Sequence, residues 1–536
     1  LATDGAGTVA PRASRRAGRT RGTATSRRGR ALAALALAGL LATAAAVWYA
    51  RQDGVTVVAP PREVTPSVAV LPFAVTGRDT ADAFFAAGLT EEVIAALGRV
   101  PGLRVSSRQA VYTLAARGLS PRAAADTLGV ASIVEAAVRR DGDRVRVRAA
   151  LVRPRDQSVL WTDAFDVTVR DIDDLLGVQE RIARAIAGAL RPRLAGDTAL
   201  AARPMTRAGT RDLAAYDDFQ RATFLMRQRT EESLRRAPDY LERALRRDST
   251  FARAWAALAE ARVLQVVFGH ERPAAFMPSA RRAAERALAL DPDDAAAHSA
   301  LAHVRRVFDF DWAGSLGASA RAMALDPDLP GVRVQHAITL FHVGRTAEAE
   351  RVLRDARAAD PLDFTALLTL GRLHAHTGRL AEGSAELRAA LELNPQFSYG
   401  FQQLGHAELA AGRPAAALEA FRRAATLSGV RDSAHLAWAL AVTGQRDSAR
   451  RIVRDLEASA ATRYLPAYGI AAAHVGLGDH DAAFRWLDRA VAERGQGLDA
   501  IAAAARMFVP LHADPRWTPL LARLGFGGDG RGAVAR

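Results

Sequence analysis

The chain has 536 residues, with 73 basic and 58 acidic side chains and a formal charge of +15. It contains no cysteine, which excludes disulfides, thiol nucleophiles and Cys-ligated zinc or iron–sulfur sites. Every basic residue is arginine, so there is no Walker A loop, kinase phosphate-binding lysine, Ser-x-x-Lys acylase or Schiff-base lysine.

Residues 1–30 set Arg12, Arg15, Arg16, Arg19, Arg21, Arg27, Arg28 and Arg30 against a lone Asp4, with small polar residues between them. That composition predicts a disordered, Arg-rich cytoplasmic segment carrying about half of the excess charge. Ala31 to Ala50 then runs without charge or proline and ends in Trp48-Tyr49. At about 1.5 Å per residue the stretch matches the roughly 30 Å of bilayer hydrocarbon. It reads as one N-terminal transmembrane helix, with a cleaved secretory signal and a soluble alanine-rich helix as the alternatives. The flanking arginines predict single-pass insertion in the inner membrane, amino terminus cytoplasmic and carboxyl-terminal bulk periplasmic. A Pro- and Val-rich linker follows over 51–66.

Residues 67–194 read as an α/β module with a mixed sheet. Ser67 to Phe73 is a short apolar strand, and a helical pattern over Asp82 to Val100 places Glu91-Glu92 early, where carboxylates complement the dipole. A strand is expected at Leu103 to Ser107, and helices at Arg108 to Arg117 and Ser120 to Leu128. The period then changes to two over Ala131–Arg140, Arg144–Arg153 and Ser158–Val169. Asp141-Gly142-Asp143 is a hairpin signal, and Arg144, Arg146 and Arg148 alternate with Val145, Val147 and Ala149. An amphipathic helix, Asp171 to Leu190, closes the module. The strand Val68–Phe73, the run Ala87-Gly88-Leu89-Thr90-Glu91-Glu92 and the hairpin strand Val134–Arg140 resemble the TolB-amino-terminal-like, FlgO-like module of bacterial envelope proteins. That resemblance implies a neighbouring membrane helix and TPR repeats. In relatives it also implies an upstream Ser/Thr kinase, winged-helix domain or nucleotide cyclase.

After a linker over 195–210, two ladders share one period. Pro292, Pro327, Pro361 and Pro395 follow Asp291, Asp326, Asp360 and Asn394, at spacings of 35, 34 and 34. Gly344, Gly378, Gly412, Gly444 and Gly478 keep step at 34, 34, 32 and 34. A helix, a turn needing a left-handed residue, an antiparallel helix and a stop would write this punctuation. Leu370, Gly371, Leu387 and Ala390, then Phe401, Leu404, Gly405, Ala417, Phe421 and Ala424, occupy the packing positions of a repeat that resembles the tetratricopeptide (TPR) family. Looser copies run through Ala237, Leu241 and Ala244 and through Ala483, Leu487 and Ala490. The expectation is an all-α superhelical solenoid of about eight helix pairs over 211–497. It carries an insertion at Gln265 to Met277, capping helices over 498–526 and a disordered tail over 527–536.

No catalytic constellation emerges. His374-x-His376 places its two rings on different helix faces, and His298/His303 are badly spaced for a metal. Asp171-x-Asp173-Asp174 and Asp291-x-Asp293-Asp294 read as helix caps. No cofactor, metal, nucleic acid or small-molecule substrate is expected. The chain reads as a non-catalytic, membrane-anchored interaction scaffold. Its groove would hold a peptide or partner helix, with Arg333, Gln402, Gln403 and Glu408 as candidate contacts. The alternative is the extracytoplasmic sensory half of a larger signalling protein.

Overall fold

In a computed structural model the described residues are 66–190 and 209–527, apart from 77–79, 99, 101, 229, 269–270, 328, 330 and 503–505. Among them no helix is long and apolar enough to cross a membrane. This corrects the expected fold class: an α/β module followed by a helical solenoid, with no transmembrane helix among the described residues. The single-pass inner-membrane placement is corrected with it. The physical reason is charge, since even the long helices Thr80–Gly98 and Ile172–Leu190 are interrupted by Asp82, Glu91 and Glu92 and by Asp173, Glu180 and Arg184. The stretch 31–50 itself lies outside the described residues, as do 1–30 and most of the tail.

The module is a sheet of β1 (Ser67–Val70), β2 (Ala74–Val75), β3 (Arg104–Val105), β4 (Ser132–Asp141), β5 (Arg144–Arg153) and β6 (Ser158–Thr168). Its order is β3-β1-β4-β5-β6, with β2 also pairing β4. β1 is parallel to β3 and β4, whereas β4, β5 and β6 form an antiparallel meander. β1 is covered on both faces and buried throughout, which is why it reads as an unbroken apolar run. In β5 Arg144, Arg146 and Arg148 are exposed while Val145, Val147 and Ala149 are buried. Gly142 turns the β4–β5 hairpin at φ +61°. Helices α1 (Thr80–Gly98) and α4 (Ile172–Leu190) pack on one face, and α2 (Arg108–Ala116) and α3 (Pro121–Leu128) on the other.

Eight helical hairpins follow among the described residues, from Leu213–Gln228 and Glu231–Arg247 to Ala467–Leu477 and His480–Ala492. Each ladder glycine takes a left-handed conformation, with φ from +73° at Gly412 to +91° at Gly378 and Gly444. Asp291, Asp326, Asp360 and Asn394 donate their N–H to the carbonyl four residues back, and the prolines after them stop the helix. Pro292, Pro361 and Pro395 are exposed and Pro327 is half-buried. Gly371 and Gly405 lie at helix crossings where a Cβ would come within 2.8 Å of Leu387 and of Phe421. Leu404, Ala417, Phe421 and Ala424 are buried beside them. Within the expected insertion at 265–277, the hairpin's helices Ala252–Val267 and Pro273–Leu290 flank a connection of which 269–270 lie outside the described residues.

The module is bound into the solenoid at two places. Glu91 and Glu92 lie mid-helix and buried rather than at a helix start, because α1 begins at Thr80. Glu91 pairs with Arg108 and Arg227, and Glu92 accepts from Tyr216 Oη at 3.0 Å and from Arg253 at 3.3 Å. Farther along the chain, Asp360 accepts from the Ser107 hydroxyl, the Glu392 carbonyl from Arg117, and Leu362 packs on the α2–α3 core. Asp171 and Asp294 do cap their helices, each accepting from a backbone N–H three residues on at 2.9 Å.

Candidate binding chamber

The first helices of successive hairpins turn their non-packing residues toward a shared concavity, as repeat stacking requires. Phe364–His376 begins at Asp363, whose carboxylate accepts from the N–H groups of Thr365 and Ala366. It brings Arg372 and His376 to the cavity wall, and Ser398–Ala410 brings Tyr399, Gln402, Gln403 and His406. Ser433–Val442 and Ala467–Leu477 add His435, Trp438 and Tyr468, and the earlier hairpins add His303, Arg306, Gln335 and His342. The cavity, partly open to solvent, has a volume of about 500 Å³.

The chain's end closes this space. Residues 494–526 run back from the last hairpin to a π-helical turn, Arg305–Asp309, and the left-handed Phe310 that follows it. Arg306, 4% exposed, pairs with Asp499. Arg494 donates to the Phe308 carbonyl and Gln496 to that of Val267. Trp312 Nε1 donates to the Leu524 carbonyl at 3.0 Å, and its ring meets Phe526 at 4.8 Å. The segment therefore caps the last repeat, sharing its core, and also joins it to the second and third hairpins.

Burial governs the chamber's titration. It pushes His342, His376 and His435 down to about 4, the last two also facing Arg506 and Arg372 or Asp432, and holds His406 well below its ordinary value. His406 Nε2 and His435 Nδ1 lie 3.0 Å apart, a hydrogen bond between neutral rings. Arg372 sits 5.5 Å above the Tyr399 ring.

Of the candidate contacts, Gln402 and Gln403 line the cavity, with the Gln403 amide donating to Gln402 Oε1 at 3.2 Å. Glu408 is 1% exposed and pairs with Arg388 and Arg413, so it joins neighbouring helices. Arg333 is half-buried and lies outside the cavity wall. His374 is 2% exposed, with Nδ1 2.6 Å from Glu386 and Nε2 3.4 Å from Glu350, a polar contact that reaches across to the preceding hairpin. Among the described residues no group of three His, Cys, Asp or Glu is placed to hold a metal. Sequence reasoning missed Arg306, Arg372, Tyr399, Tyr468 and Asp499. The available signal was the polar and aromatic residues at non-packing positions of the first helices.

The tetratricopeptide-repeat family model matches residues 340–401, so the solenoid contains tetratricopeptide repeats. A curated relative, "Putative adenylate cyclase 3" of Rhizobium meliloti (strain 1021), is 33% identical over 193 residues. The match takes in 36% of this chain and about a third of that relative, 32%. Among solved structures, Pseudomonas aeruginosa pilF is similar at 19% identity, over 40% of this chain and 95% of its own, with a TM-score of 0.31. YrrB, described as a TPR protein with an unusual peptide-binding site, is similar at 18% identity over 35% and 91%, with a TM-score of 0.25. The human IFIT1 dimer with m7Gppp-AAAA aligns at 14% identity over 66% and 82%, with a TM-score of 0.39.

Proposed function

We propose that this protein is a non-catalytic interaction scaffold whose stacked helices receive a peptide or helical segment of a protein partner. The observation that carries the reading is the repeat match at 340–401, within an arc whose first helices leave a concave space of about 500 Å³. Gln402 and Gln403 are the candidate contacts best placed for it. Glu408, paired with Arg388 and Arg413, is the less suited of the contacts on this helix. An affinity capture comparing wild type with the double substitution Gln402→Arg/Gln403→Arg tests it. Partners lost by the double variant and kept by exposed Arg422→Ala support the groove, and identical capture by all three proteins refutes it.

A second reading is favoured by the cyclase relative: the chain is the regulatory part of a larger signalling protein. The α/β module, with its TolB-amino-terminal-like pattern, would pass the solenoid's state to an output domain through the Glu91/Glu92 and Ser107–Asp360 contacts. The reading frame upstream of Leu1 tests this. A cyclase, kinase or winged-helix signature supports it, and a start codon without such a signature counts against it.

A further inference from the structure

We infer that the chamber, walled on one side by the carboxyl-terminal segment, is a site for a small organic anion, one charged head group on an apolar or aromatic body, with Arg372 as its counter-charge. The inference supplies a ligand to the regulatory reading and rests on that reading for its purpose, but binding itself is testable on this chain alone.

Closure argues for a small ligand. A helical-repeat arc ordinarily leaves an open groove, because each repeat meets only its neighbours. Here Arg306–Asp499, Gln496 to Val267 and Trp312 to Leu524 join residues far apart in sequence and seal one side. The remaining space, about 500 Å³, falls within the roughly 300–1,000 Å³ of small-molecule sites.

Charge selects the head group. Of the arginines in the wall, Arg306 is neutralised by Asp499, and Arg506 faces the carbonyls of Ala375 and His376 at 3.5 and 3.4 Å. Arg372 is half-buried, and no carboxylate pairs with it among the described residues; its guanidinium lies over the Tyr399 ring. A guanidinium in a low-dielectric wall without a counter-charge is costly, and an incoming carboxylate or phosphate relieves that cost. Burial keeps His342, His376 and His435 neutral at pH 7, so they supply donors and acceptors rather than charge. Phe341, Tyr399, Trp438 and Tyr468 offer flat apolar surface to the rest of the ligand.

Isothermal titration with 1-naphthoate, 1-naphthyl phosphate and the neutral 1-naphthamide tests the inference and separates a carboxylate from a phosphate head. At least one anion is expected to bind once per chain, tenfold or more tighter than the amide. Arg372→Gln should erase that preference, Arg372→Lys should restore part of it, and Arg422→Gln on the exposed surface should leave it intact. Circular dichroism and melting of each variant check folding, and the wild-type preference of anion over amide stands apart from any variant. Equal affinity for anions and amide, or a preference that survives Arg372→Gln in a folded protein, overturns the proposal. Binding of an Asp-rich dodecapeptide through Arg372, with no binding of either naphthyl anion, also overturns it and leaves the peptide groove standing.

Discussion

A series of glycine substitutions separates three physical effects within one solenoid. Gly405 sits where two helices of one hairpin cross, and an alanine Cβ there would lie 2.8 Å from Cε1, Cε2 and Cζ of Phe421. The Phe421 ring is fully buried, with the His406 ring centroid 4.9 Å away and that of Trp438 6.2 Å away, so it has little room to retreat. Overpacking of this kind costs about 1–3 kcal/mol. At Gly412 a Cβ meets nothing within 4 Å, but the backbone is left-handed at φ +73°, so alanine there costs roughly 1–2 kcal/mol from strain alone. Gly317 lies in the helix Trp312–Leu325, with open space around it and ordinary helical backbone, so alanine should stabilise by roughly 0.5–1 kcal/mol. Urea unfolding followed by circular dichroism measures all three, and Gly405→Ala with Phe421→Leu should recover part of the loss through coupling of about 0.5–3 kcal/mol. A Gly405→Ala protein as stable as wild type, or a double variant that is simply additive, would refute the crossing argument.

Asp499→Asn should leave the Arg306 guanidinium buried without its counter-charge, at a cost of about 3–5 kcal/mol. Hydrogen exchange should then quicken in residues 494–526 and around 305–312 while 213–247 stay protected, and uniform exchange across the chain would contradict the closure. The pH dependence has two opposed parts. His342 titrates near 4 when folded against 6.5 when unfolded, so its contribution is full above 6.5 and is lost as pH falls toward 4, by up to about 3 kcal/mol. His342→Gln should therefore flatten the melting temperature between pH 6.5 and 4. Asp360, pushed up to about 6 by burial, binds its proton more tightly when folded, so its contribution is present below about 4 and fades as pH rises through 6. Asp360→Asn should stabilise the module–solenoid contact at pH 7.5 by about 1–2 kcal/mol and change little at pH 4; an unchanged difference between those pH values would exclude it.

The sequence by itself determined the elements. The 34-residue punctuation placed the hairpins of the solenoid because a left-handed turn and a helix stop depend on φ and on a missing N–H, properties of single residues. Period two placed β4, β5 and β6 for the same local reason, as the exposed arginines and buried valines of β5 illustrate. The repeat-packing glycines were legible because close helix crossings tolerate little else. Of the candidate contacts, Gln402 and Gln403 line the cavity, as a first helix must turn something inward. Glu408 lies on a first helix too, and only its partners Arg388 and Arg413 reveal that it faces a neighbouring helix. The tertiary structure alone decided that Glu91 and Glu92 anchor the module instead of capping a helix, since their partners Arg227 and Arg253 arrive from the solenoid. It alone decided that the carboxyl-terminal segment docks through Arg306 and Asp499 and that, among the described residues, no carboxylate pairs with Arg372. Periodicity records only the faces of neighbouring elements, whereas the closure depends on the accumulated curvature of the whole stack, a sum of small rotations that no single repeat specifies.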